Sequence, residues 1–212
     1  MWPRGDSRHD HAIISPTDSL QSFEYHSEIP NKLMPESLNR FQAWLAAEVM
    51  NLPQLAENVS WRCWGDASES HYAGVVTAES DSSLSAIFSL PKQTGHWFLT
   101  LSDGDADSLA KIMAHLDEYD ASGEIHQSHV VRFDYAYLDQ NGYVGVYLCT
   151  PIVSPLFKQL AAPMVFDSNT AHPTLVIFIT ESEYEVWKDR GSDGLLDHFD
   201  DVDKDLVSFG SN

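Results

Sequence analysis

Ten histidines set among 32 acidic residues make metal binding and acid–base catalysis the first chemistries to weigh. His126 and His129, in GEIHQSH, have the H-x-x-H spacing of a paired ligand set. A closed metal site needs further ligands and an outer shell that orients them. His96, His115, His172 and His198 are the remaining candidates, and sequence spacing does not bring them together. Asp201, Asp203 and Asp205 alternate in DDVDKDLVSFGSN as the first acids of a calcium loop do. The loop pattern then fails: Leu206 stands where the glycine is required and Asn212 where a bidentate glutamate is required. That segment reads as a solvated acidic tail. Paired carboxylates for acid–base work can be drawn from any of the 32 acids, so that signal selects nothing. There is no G-x-S-x-G elbow, no phosphate-binding G-x-x-x-x-G-K-[ST] loop and no G-x-G-x-x-G fingerprint. Cys63 and Cys149 lie in the apolar runs SWRCW and GVYLCT and read as small buried hydrophobes, not as nucleophiles or a disulfide framework. The residues thus point away from an enzyme and imply no cofactor.

Contact chemistry is better represented. In LDEYD, the residues Asp117, Glu118, Tyr119 and Asp120 end a helical pattern and combine charge with an aromatic anchor, the mix found at interface hot spots. The turn is expected to be exposed. Three acids at a helix C-terminus oppose the macrodipole, so local stability does not explain them. An ordinary helix end is the competing reading. Phe133, Tyr135 and Tyr137 alternate and are expected to share one strand face, packed beneath helices.

Charge narrows the partner. Against 12 basic residues the acids give a net charge of −20. Binding nucleic acid through its phosphates, or docking on an anionic membrane, needs the opposite sign. A basic protein partner is favoured, because opposite fields speed encounter, although the same charge also serves solubility. The opening MWPRGDSRHDH has no apolar core of a signal peptide and no segment reaches transmembrane length, so the cytoplasm is the expected compartment.

These residues need elements to hold them. Residues 1–28 are polar and aperiodic and are expected to form a partly ordered lead-in, with 29–212 as a single domain. In PESLNRFQAWLAAEVM, Leu38, Phe41, Leu45 and Val49 recur at helical spacing, with Pro35 in the first turn. VSWRCW, HYAGVVTA, LSAIFSL and HWFLTL read as strands. SDGDADSLAKIMAHLDEYD reads as a helix with acids at its start. HVVRFDYAYL and YVGVYLC flank DQNG, whose Asn141–Gly142 pair predicts a tight hairpin turn. A Pro-punctuated connection leads to Thr174–Ile179, an apolar run that predicts a strand covered on both faces. Thr180 and Glu183 then have capping-box spacing, Gly191 suits a left-handed stop, and Ser192 can cap a second helix carrying Leu195, Leu196 and Phe199. The expected class is α+β: a mixed, largely antiparallel sheet flanked by helices, closed by a strand–helix–helix unit.

The order KIMAHLDEYD, SGEIHQSH, VGVYLCTPI and LVIFITESEYEVWKDRGSDGLLDHF resembles the suppressor-of-fused-like domain family over about residues 97–205. The family has a proline before its final helix where this chain has Thr180, and its GH-containing segment is altered here. The resemblance implies a non-enzymatic protein-binding domain. Animal members sequester a transcription factor, and bacterial members look like immunity proteins that neutralise toxins. This implies an immunity-type inhibitor of a basic protein toxin. The alternatives are a metal-dependent hydrolase built on His126, His129 and nearby acids, and an acidic DNA mimic. No family binding residue maps onto this sequence.

Overall fold

The computed structural model describes residues 34–65, 71–121, 123, 125–207 and 209. The expected lead-in of residues 1–28 lies outside them. The first helix, α1 (Arg40–Met50), starts later than its hydrophobic pattern suggests. Pro35 accepts a turn bond from Leu38 N–H, and the cap is Asn39, whose side chain and that of Gln42 bond each other's backbone N–H in a capping box.

Strands β1 (Leu55–Trp64), β2 (His71–Ala78), β3 (Ser85–Leu90) and β4 (Gly95–Ser102) follow as an antiparallel meander. Helix α2 (Ala106–Asp120) begins at Asp105, whose carboxylate accepts from Ser108 N–H at 2.9 Å. The chain then adds β5 (Val130–Arg132), α3 (Ala136–Gln140), β6 (Gly145–Cys149), β7 (Met164–Phe166), β8 (Asn169–Ile179) and α4 (Glu181–Asp201). The sheet order is β1-β2-β3-β4-β8-β6-β5, with β7 paired to the start of β8. The β4–β8 ladder is parallel and the other described ladders are antiparallel. This is the expected α+β class, a mixed and mostly antiparallel sheet.

Helices cover both faces. On one side α2 and Leu138 of α3 meet Ala73, Val75, Ile87, Phe98, Val176 and Phe178. On the other, Phe41 and Leu45 of α1 and Tyr184, Trp187, Leu195 and Phe199 of α4 meet Phe88, Leu99, Leu175 and Ile177. β8 runs between β4 and β6 under both layers, which is why TLVIFI carries apolar residues at every position after its threonine.

Three local expectations are corrected. The hairpin across Asn141–Gly142 is not tight: β5 and β6 do pair, but residues 133–144 lie between them and include α3. Gly142 takes φ +78° whereas Asn141 caps α3 at φ −102°. Phe133, Tyr135 and Tyr137 therefore share no strand face; Phe133 is buried, and Tyr135 and Tyr137 lean half-buried on the α2-side core. The tight hairpin instead joins β7 to β8, with Asp167 and Ser168 at φ +47° and +70° and Phe166 opposite Asn169. Lastly, Ser192 Oγ does not cap a helix but donates to Ser128 C=O at 2.9 Å. The capping box of Thr180 and Glu183 forms as expected, and α4 breaks at Gly191 into two arms.

Candidate functional site

The acidic end of α2 is less exposed than its sequence suggests. Asp117 is buried, Asp120 retains 10% exposure in its side chain, Tyr119 packs half-buried on the core and Glu118 is 44% exposed. Histidines that open two strands supply the reason. His71, first residue of β2, places Nδ1 2.6 Å from Asp117 Oδ2. His96, second residue of β4, donates its backbone N–H to Asp120 Oδ2 at 2.7 Å and sets Nδ1 2.7 Å from Oδ1. His115, within α2, lies 3.1 Å from Glu118 Oε2. With the carboxylate ionised it only accepts, and the ring proton then lies on Nδ1. Gly95 makes the Asp120 contact feasible, since a Cβ there would sit 2.8 Å from Asp120 Oδ2.

These pairs solve the dipole problem. α2 has no basic residue in its last turn, and its C-terminal acids are instead bonded by histidines at the starts of β2 and β4. The electrostatics split by depth. Burial pushes the Asp117 carboxyl above its usual range, with the His71 bond opposing it. The His115 bond holds Glu118 below its usual range against a smaller desolvation effect. Beside the pairs lies a cavity of ≈ 330 Å³ walled by His71, Lys92, Gln93, Thr94, Asp117 and Asp120. Its lining brings two carboxyl groups, an imidazole and Lys92 together. It can accept a hydrogen-bonding cationic group or hold an imidazole in a defined tautomer.

His126 and His129 do come together, with ring centroids 5.1 Å apart, but in the loop before β5 and not at the α2 cavity. Among the described residues no three His, Cys, Asp or Glu side chains converge to hold a metal ion. His96 and His172 stand opposite each other across the β4–β8 ladder with rings 5.9 Å apart. Sequence reasoning missed His71 and the Asp120–His96 chelate. The available signal was a histidine at the head of each of the strand runs HYAGVVTA and HWFLTL. Asp201, Asp203 and Asp205 are exposed, although Lys204 between them is nearly buried against Glu183. No described helix is long and apolar enough to cross a membrane.

The architecture is an open mixed sheet with a helical layer on each face and an acid–histidine cleft at one helix end. A protein from Neisseria gonorrhoeae FA 1090 designated a homolog of SUFU (suppressor of fused protein) superposes with a TM-score of 0.63 at 13% identity, over 82% of this chain and 94% of that one. The Sufu–Fu complex gives a TM-score of 0.41 at 9% identity, over 76% and 78% of the two chains. No protein-family model and no curated protein sequence matches the chain. The fold is therefore suppressor-of-fused-like.

Proposed function

We propose that this chain is a protein-binding domain, an immunity-type inhibitor that captures a basic protein toxin in the bacterial cytoplasm. The observation that carries the reading is the suppressor-of-fused-like fold bearing a net charge of −20. The charge is displayed: Asp193, Asp197, Asp200 and Asp201 are exposed along the second arm of α4. At the end of α2, Glu118 is the outer contact, Tyr119 the half-buried aromatic beside it, and Asp117 and Asp120 wall a cavity that suits a lysine or arginine side chain of the partner. In this reading residues 29–212 act as one domain, supported by the continuous sheet from β1 to β5. Long-range charge raises the encounter rate, and the cavity contacts set the lifetime of the complex.

The test is capture from host lysate on the tagged chain, with a low-salt and then a high-salt wash. A stoichiometric basic protein released by salt, toxic when expressed alone and harmless beside this chain, is the expected result. Glu118→Lys should weaken that capture by about tenfold or more, as loss of a hot-spot contact does. Retention of a nucleic-acid-binding protein at its DNA site would favour the DNA mimic instead. A divalent metal that raises the melting temperature, with no partner captured, would favour the hydrolase.

A further inference from the structure

The aromatic residues near α3 and the acidic tail, which have no part in the α2 cavity, meet at the other end of α2. After α4 the chain turns back over the sheet. Lys204 Nζ lies 2.6 Å from Glu183 Oε1, with both side chains nearly buried at 12% and 8% exposure. Asp103, in the loop before α2, then holds the tail at two backbone points. Its N–H donates to Val207 C=O at 3.2 Å, and its Oδ1 accepts from Phe209 N–H at 2.5 Å. The Phe209 ring enters a box of three rings: stacked on Tyr137 at 5.1 Å and 8°, against Tyr143 at 4.8 Å, and edge-on to Phe178 at 4.9 Å and 85°. Tyr137 is itself positioned, its hydroxyl accepting from Asp105 N–H at 2.7 Å.

Main-chain bonds plus one pocketed side chain are how receptors hold short peptide segments. Two further observations make this contact exchangeable. Phe209 is only half-buried, so its seat opens to solvent. The two Asp103 bonds belong to no helix or strand ladder, so releasing them unravels no element. We propose that Asp103 with Tyr137, Tyr143 and Phe178 forms a docking site for a peptide segment with one aromatic anchor, occupied in cis by this chain's own Phe209. A partner segment of that chemistry binds by exchange with the tail. The tether holds the tail at an effective concentration in the millimolar range, so it masks the site against weak ligands. This inference stands apart from the α2 cavity and from the identity of any toxin.

The experiment uses the full-length chain carrying Phe209→Ala, which vacates the box, and a synthetic peptide of this chain's residues 203–212, DKDLVSFGSN. Binding is measured by calorimetry, with folding verified by circular dichroism. The variant should bind the peptide at least about tenfold more tightly than the unsubstituted chain does, because the tethered competitor is lost. A peptide carrying Phe209→Ala should not bind. Phe209→Leu, which preserves apolar volume, replaces the alanine variant if that one does not fold. A folded variant that ignores the peptide, or that takes the two peptides equally, overturns the proposal and leaves the tail a fixed clasp.

Discussion

Asp117 and Glu118 are neighbours in sequence whose carboxyls are displaced in opposite directions, one upward by burial and one downward by its His115 bond. One faces the strands and the other faces solvent. The sign for stability follows from proton binding. Asp117 holds its proton to higher pH in the folded chain than in the unfolded chain, so its contribution is fully present below pH 3.8 and is lost as pH rises through the folded value. Asp117→Asn removes that loss. Its stability relative to the parent should therefore rise as pH is raised above 3.8, in urea melts at each pH. A flat difference would mean that Asp117 is not displaced by burial. Cys149 provides a second check at this scale. Burial in β6 pushes its thiol up to about 12, so it carries almost no thiolate at neutral pH. Iodoacetamide at about pH 8 should leave Cys149 unlabelled in the native chain and alkylate it in urea, read by mass spectrometry.

At the scale of elements, α4 shows how one residue shapes a helix. Gly191 has φ +70° and ψ −169°, a backbone region essentially reserved for glycine, although a Cβ there would meet nothing within 4 Å. The cost of an added side chain is thus conformational and not steric. Gly191→Ala should destabilise the chain by roughly 1–3 kcal/mol, measured by denaturant midpoint. It should also disturb the second arm, which buries Leu195 and Phe199. A neutral result would mean that the two arms are not joined through this kink. The start of α4 was legible because its cap is local: Thr180 and Glu183 lie within four residues of each other, whereas the Asn39 cap of α1 was missed. The run from Phe133 to Tyr143 was misread because aromatic alternation favours a strand while α3 wins through Leu138, which packs into the α2-side core.

Across the whole molecule the net charge of −20 repels itself in the compact state more than in the extended one. Salt should therefore stabilise the chain. Raising sodium chloride from about 0.02 M to about 0.5 M should lift the melting temperature by at least about 3 °C, the equivalent of about 1 kcal/mol for a chain of this size. Screening of the few ion pairs works the other way. Two of them, Arg62–Asp107 and Lys204–Glu183, have a partner that is 10–12% exposed and is screened less than a surface pair. A melting temperature that falls with salt would show that attractive pairs outweigh the self-repulsion.

The sequence by itself determined what depends on neighbours along the chain. Periodicity set the helical faces of α1 and α2, β-branched runs set the strands, the apolar run before Thr180 marked β8 as a strand covered on both faces, and the acid count set the sign of the field. The tertiary structure decided everything that needs distant residues to meet. His71 finds Asp117 across 46 positions, His96 finds Asp120 across 24, and Phe209 reaches Asp103 across 106. Each depends on sheet order and on which helix end abuts which strand. Those are fixed by packing free energy summed over both faces of the sheet, a quantity no local pattern encodes.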